Sequence, residues 1–471
     1  MTDKGLADSL EVRCTPEHLA SARRVHVMGV CGTAMGTFAG MLKSRGYEVR
    51  GSDTAFYPPM SDLLAEWNIP TMQGYQADNL DWKPDLVVVG NVIRRTNPEA
   101  IAMRERGLPH VSFPEAFGTL FLEGRHPVVI TGTHGKTSTT ALTAFLLREG
   151  ALDPTLLVGG VPLDFGASFV LGTGDHVVVE GDEYDTAYFD KVPKFVHYRP
   201  QTAVITNIEF DHADIYRDIE HIQGEFDGFA RLLPAAGRLL YWSGSERATR
   251  AAKHAQCKTE SYGAPDAWWR AEDVEETPQH TQFTLWRGPE VVGRATAPLF
   301  GPHNIQNAVA ALGIAIGLGV PSDRAFEALS RFRNVKKRHE IKGVAAGVTV
   351  IDDFAHHPTA VRATVAAVRR RFAEGRLFCC FEIESNTSRR KVFQDEYPPA
   401  FEGADAVLFC KPLAKADSLP LELRIDLGEV CRQLEQRDIE AHLIPEVPDM
   451  VRWLVDRVRP GDVVLGMSGR H

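Results

Sequence analysis

The chain has 471 residues, a formal net charge of -10 and a sequence pI near 6.0. That length accommodates two to four domains, and three is the expectation. The acidic balance, with no long Lys/Arg block, excludes the electrostatic footprint of a nucleic-acid binder and points to small-molecule partners. Seven scattered cysteines without a C-x-x-C pair argue for reduced thiols rather than a disulfide framework or a zinc site. With no apolar run near the start, and with Ala308 to Val320 too short to span a bilayer, the expected location is the cytoplasm, with no membrane partner. Nothing in the sequence bears on oligomeric state.

After a 23-residue N-terminal extension, the first unit (24–123) opens with the β-branched run Val25-His26-Val27-Met28. This run enters Gly29-x-x-Gly32-Thr33-x-x-Gly36 and then the helical stretch from Phe38 to Ser44, a strand, loop and helix. A short strand Tyr47–Arg50 ends at Gly51-Ser52-Asp53, and Leu86 to Asn91 supplies a third strand with its polar end at Asn91. Alternation of this kind predicts a parallel sheet. The glycine spacing is not a dinucleotide fingerprint, but with Asp53 suited to a ribose hydroxyl it points to a nucleotide diphosphate; a turn used only for packing is the rival reading.

A second unit (124–332) restarts with the strand Pro127–Ile130, followed by Thr131-Gly132-Thr133-His134-Gly135-Lys136-Thr137-Ser138-Thr139 and the helical run Ala141 to Arg148. Backbone N–H groups of such a loop, with the helix N-terminus behind them, converge on phosphate oxygens. Lys136 is placed to neutralise the transferred phosphate, and Thr137 to put its hydroxyl on Mg2+. The general motif wants glycine where Ile130 stands, so this is a shortened variant. Glu180 closes the buried strand His176–Glu180, where a carboxylate is expensive unless it holds a cation. Asp182, Glu183 and Asp185 read equally well as a solvated acidic loop. Thr202–Thr206 is another buried strand, and its continuation Asn207 to His212 brings a His to the same sheet edge, as a loop hydrogen-bonder or a metal ligand. The segments His280–Leu285 and Glu290–Ala295 flank a turn and look antiparallel, which makes the sheet mixed. His303-Asn304-x-x-Asn307 begins a small-residue helix whose amides suit an adenine edge or a helix cap.

The third unit (333–471) follows a basic stretch, with strands at Val348–Ile351, Leu377–Phe381, Ala406–Phe409 and Asp462–Leu465. Asp352, Asp353, His356 and His357 lie just past the first of these, where ribose or phosphate contacts compete with a plain polar loop.

In their order along the chain, Thr131–Thr139, Glu180–Asp185, Asn207–His212, His303–Asn307 and Asp352–Pro358 resemble the motifs of the Mur ligase family. The resemblance runs from about Arg24 to Ser468 and implies three α/β domains: a Rossmann-like first, a P-loop-type mixed-sheet second and a Rossmann-like third. It further implies an ATP-dependent amide-bond ligase of peptidoglycan synthesis and recycling, using Mg2+ and an acyl-phosphate intermediate. Lys136, Glu180 and His212 would be catalytic, with Thr137, Glu180 and His212 on metal. Gly132, Thr133, His134, Gly135, Lys136, Thr137, Ser138, Asn304, Arg338, Asp352, Asp353 and His356 would bind ATP. Gly29, Gly32, Thr33, Gly36, Asp53 and Asn91 would hold UDP-N-acetylmuramate, and Ser385, Asn386 and Thr387 the incoming peptide. Tyr57-Pro58-Pro59-Met60 and Glu183 to Ala187 are similar to the members that add L-alanyl-γ-D-glutamyl-meso-diaminopimelate. The L-alanine-adding members and a UDP-sugar-binding protein without ligation are the alternatives. The chain departs from the family at Glu384, where a cation is expected, in having no lysine between His212 and Arg231, and in stopping at Gly469-Arg470-His471, where relatives look longer.

Overall fold

Three large sheets and a two-stranded hairpin, Asp185–Ala187 with Asp190–Pro193, make up the sheets of the computed structural model, which describes residues 14–385, 387–410 and 419–469. The first is five-stranded and parallel, in the order Thr71–Gln73, Glu48–Asp53, Arg24–Met28, Leu86–Val89, His110–Ser112. Its central strands are buried along almost their whole length, as cover on both faces requires, with the buried His26 held by Glu99. The second strand continues through Gly51 to Asp53 rather than ending at Arg50. Gly51 permits this, because a Cβ there would stand 2.5 Å from Val30. The helix that follows the glycine loop begins at Thr33, and Gly36 lies within it. A Cβ on Gly36 would be 2.2 Å from Met60 Sδ, so that glycine serves close packing. Before this sheet, the helix Pro16–Ser21 is capped by Thr15 and buries Leu19 in the same core.

The central sheet has ten strands. Six in the middle, Lys258–Tyr262, Arg238–Trp242, Thr202–Ile205, His126–Thr131, His176–Gly181 and Thr155–Leu157, run parallel. Trp269–Glu276, Thr281–Arg287 and Glu290–Ala297 form an antiparallel meander at one end. The sheet is therefore mixed. Its strands bury alternate residues on opposite faces: Val128, Ile130, Val178 and Val204 join one core, and Val129, Val177, Val179 and Ala203 the other. The first of these cores is covered by the helices Lys136–Glu149 and Pro302–Gly317. The second holds Phe195, Phe226 and Phe229 and runs without a break into Phe38, Phe113 and Phe117 beneath the first sheet.

The third sheet has six strands, with Val348–Asp353, Val463–Ser468, Leu377–Glu382 and Ala406–Phe409 at its parallel centre. Its core is separate. The connection into it is pinned to the central unit, since Leu163 N donates to Asn334 O at 2.9 Å and Lys336 N to Val161 O at 3.0 Å. No helix among the described residues is long and apolar enough to cross a membrane.

Candidate active site

Parallel strands carry their loops out at one edge, and the loops after His126–Thr131, His176–Gly181 and Thr202–Ile205 meet there. The glycine loop is braced on its neighbour: His134 N donates to Asn207 Oδ1 at 2.8 Å and Thr133 N to Asn207 O at 2.9 Å, while Thr206 Oγ1 donates to His134 O at 2.6 Å. Gly132 (φ +127°) and Gly135 (φ +82°) take conformations that a side chain resists. A Cβ would also stand 2.1 Å from Thr206 Oγ1 in the first case and 2.6 Å from Asn307 Oδ1 in the second. That second approach sets the helix Pro302–Gly317 beside the loop.

Lys136 Nζ donates to Gly132 O at 2.6 Å and to both carboxylate oxygens of Glu183, at 2.8 and 3.1 Å. Burial works against its charge, but Glu183, Asp182 and Glu180 outweigh that and hold the ammonium above its ordinary value. Thr137 Oγ1 donates to Glu180, 3.1 Å from either oxygen, and Glu180 Oε2 also accepts Gly159 N at 2.9 Å. His212 Nε2 lies 3.1 Å from Glu183 Oε1. Burial opposes its protonation, while Asp211 and Glu183 favour it and push the imidazole above its ordinary value. The expected metal residues therefore fall into two groups: Thr137 with Glu180, and His212 with Glu183 and Asp182. Ligand atoms of this second trio lie within 4.8 Å of one another. Oxygen donors with one imidazole fit a hard divalent ion such as Mg2+.

A cavity of about 570 Å³ joins these groups to all three units. Thr33 lines it from the first, the loop from Thr133 to Ser138 and Asn304 from the second, and Arg338, Asp353, His356, Ser385 and Thr387 from the third. Asn386 lies outside the described residues, as do Arg470 and His471. Several predicted contacts are already engaged within the fold. Asn304 Nδ2 donates to Phe300 O at 2.9 Å, and Asp353 accepts His339 N and Ala355 N, each at 2.8 Å. Asp352 is absent from the cavity wall, because alternation along its strand turns it away from the side Asp353 faces. In the first sheet, Asp53 accepts Cys31 N at 2.9 Å and so closes the Gly29–Gly32 loop. Gly29, Gly32, Asp53 and Asn91 stand outside the large cavity, with Thr33 at its rim. Glu384 lies within electrostatic reach of Tyr57 of the first unit, whose phenol burial pushes up, with Cys31, Asp53 and Glu384 adding to it.

Three family models match consecutive stretches: "Mur ligase family, catalytic domain" over residues 24–125, "Mur ligase middle domain" over 130–315 and "Mur ligase, glutamate ligase domain" over 337–470. The chain belongs to the Mur ligase family. Among curated Mur ligases it is 37% identical to the UDP-N-acetylmuramate–L-alanyl-γ-D-glutamyl-meso-2,6-diaminoheptandioate ligase of Escherichia coli K12, covering 94% of this chain and 95% of that protein. It is 34% identical to the UDP-N-acetylmuramate–L-alanine ligase of an Anaeromyxobacter species, over 94% of each. The solved murein peptide ligase of Psychrobacter arcticus matches it with a TM-score of 0.71 at 32% identity, covering 94% of this chain and 95% of that one. Mur ligases are ATP-dependent amide-bond ligases of peptidoglycan metabolism, and this chain carries their three-domain α/β architecture.

Sequence reasoning passed over Glu183 and Asp182, the first of which pairs with both Lys136 and His212. Asp182 pairs with Lys194 at 2.6 Å, and that cation, with Lys136 and His212, overcomes burial to hold its carboxyl well below the usual range. Glu183 is 2% exposed. The signal that marks it is its place two residues beyond a buried strand, shared with three other acids, which is too little to single one out. Trp242 and Tyr262, at two further strand ends, add an aromatic wall near Gln306.

Proposed function

We propose that this Mur ligase joins L-alanyl-γ-D-glutamyl-meso-diaminopimelate to UDP-N-acetylmuramate at the cost of ATP. The observation that carries the reading is a cavity lined by all three units, with Lys136, Glu180, Asp182 and His212 in its wall. Identity to the tripeptide-adding relative supports the choice of acceptor. The first unit (24–123) holds the UDP-sugar, the second (124–332) holds ATP and Mg2+, and the third (333–471) brings the peptide.

The loop amides and Lys136 bind the β- and γ-phosphates, and the muramate carboxylate attacks the γ-phosphorus. One P–O bond forms, the bridging P–O bond breaks, and ADP leaves. The peptide amine then attacks the acyl carbon, and inorganic phosphate departs from the tetrahedral intermediate. Carboxylate and γ-phosphate repel each other, so Lys136 screens the approach. Mg2+ held at Thr137–Glu180 and at Asp182–Glu183–His212 would supply further charge screening. Ser385 and Thr387 face the acceptor side.

The deciding measurement follows ADP release and product mass with UDP-N-acetylmuramate plus either the tripeptide or L-alanine. Product with the tripeptide and none with alanine is expected. Product with alanine alone assigns the other acceptor, and product with neither overturns ligation.

A further inference from the structure

A two-stranded hairpin crosses from the second unit to the first. Its strands, Asp185–Ala187 and Asp190–Pro193, run antiparallel and meet in the tip Tyr188-Phe189. Residues of the acidic trio of Asp182, Glu183 and His212 stand at its feet. Glu183 lies two positions before the first strand. Lys194, directly after the second, donates from its backbone N to Tyr184 O at 3.1 Å and from Nζ to Asp182 Oδ2 at 2.6 Å. The path of the hairpin therefore sets the position of both carboxylates.

Strands of three and four residues do not hold themselves in place. The tip supplies what they lack. Tyr188 and Phe189 pack against Met28, Val87, Val89 and Met103 in a core of the first unit. Arg104 donates to Tyr188 Oη at 3.0 Å, and its guanidinium carbon is 5.7 Å from that ring's centroid. The ring of His110 meets Phe189 edge to face, with centroids 5.1 Å apart. Just past the tip, Asp190 Oδ2 accepts Ser112 Oγ at 3.2 Å. Arg104, His110 and Ser112 all belong to the first unit. Met28 and Val89 end the strands that lead into the Gly29 loop and into Gly90-Asn91.

We propose that Tyr188 and Phe189 are positioning residues for ligation: lodged in the first unit, they hold Glu183 in place against Lys136 in the second. This role rests on the ligation reading for its effect on turnover alone. Under that reading, the loops that hold the UDP-sugar and the carboxylate that faces the nucleotide lysine are tied to one aromatic pair. Glu183 has a further tether in its own unit, where its carbonyl accepts Tyr216 Oη at 2.6 Å, so losing the tip loosens the site without dismantling it.

Hydrogen–deuterium exchange of the full chain without ligands reads the tether directly. Phe189→Ala and Arg104→Gln should each speed exchange of residues 182–194 about fivefold or more, while the strands of the first and central sheets stay protected. Both side chains are only partly buried or exposed, so the fold is retained. In turnover, Phe189→Ala should lower kcat about tenfold and leave the KM for UDP-N-acetylmuramate within about twofold, whereas Phe189→Tyr, which keeps the ring, should restore kcat. A loss that acts through Glu183 is not repeated where Glu183 is already altered, so adding Phe189→Ala to Glu183→Gln should cost no more than about twofold. Unchanged exchange at 182–194 in both variants, full kcat in Phe189→Ala, or a further loss of about tenfold on the Glu183→Gln background overturns the proposal. Absence of product from the unaltered chain strikes the ligation reading instead, and the exchange comparison still decides whether the tip is the tether.

Discussion

Glu183 is the residue on which the site turns, because one buried carboxylate grips both the Lys136 ammonium and the His212 ring. Removing one partner of a buried ion pair leaves the other uncompensated, which costs about 3–5 kcal/mol. Glu183→Gln should therefore lower the denaturation free energy by about 3 kcal/mol and reduce kcat at least 100-fold in a coupled ADP assay. Retention of full kcat would remove Glu183 from the machinery. Lys136→Ala should abolish turnover while calorimetry finds UDP-N-acetylmuramate bound within about twofold of the unaltered affinity, since the two nucleotides are assigned to different units. Normal turnover in that variant would refute the phosphate-loop assignment. Lys136 was legible in sequence because its neighbours in the motif are its neighbours in space. Glu183 was not, because only folding decides which of four nearby acids turns toward a lysine 47 positions away.

At the level of elements, the glycine loop works because two of its residues have no side chain. Gly132→Ala places a Cβ against Thr206 Oγ1 and within 2.8 Å of the Asn207 carbonyl. Left-handed strain and overpacking together should destabilise the protein by roughly 2–4 kcal/mol and raise the KM for ATP at least tenfold. A melting curve and a saturation curve that both match the unaltered protein would contradict this account. The helix Ile219–Arg231 offers a contrast: Asp218 caps it by accepting His221 N at 2.8 Å. Asp218→Ala should cost about 1 kcal/mol in urea denaturation with kcat unchanged. Strand and helix positions were largely legible, since runs such as Val128–Ile130 and the antiparallel pair near Gly288 carry their own periodicity. The sharing of one core between Phe38 and Phe195 was not, because no local pattern tells which of two α/β units a buried aromatic will join.

For the whole molecule, the balance of buried histidines sets the acid limit. Burial, with His339 and nearby arginines, holds His303 down to about 3, and His357 is held down to about 4, against an ordinary value of 6.5. Their depressed values mean that the unfolded chain takes up protons near pH 6.5 while the folded chain does not. The stability they contribute is complete above that pH and is lost as pH falls towards their folded values. His212, raised instead, has the opposite sign, and its contribution fades above pH 6.5. Urea denaturation should show a loss on the order of 3 kcal/mol between pH 6.5 and 5, ahead of carboxylate titration. A flat profile across that interval would show that these rings are hydrated in solution. Such coupling was invisible in sequence, because His303 and His357 titrate according to what distant stretches of the chain press against them.

The Lys136–Glu183 pair also bears on the order in which the site fills. The Glu183 carboxylate stands beside the ammonium where a phosphate would also be drawn, so the charge of Lys136 is balanced from within the fold. Under the proposed function, nucleotide entry is then an anion swap: phosphate takes the place of Glu183 beside Lys136, and the released carboxylate turns wholly to His212. That exchange makes the acidic trio a stronger cation trap only after ATP has arrived. Nucleotide and the second Mg2+ should consequently bind with positive coupling, and each should raise the other's affinity by the same factor.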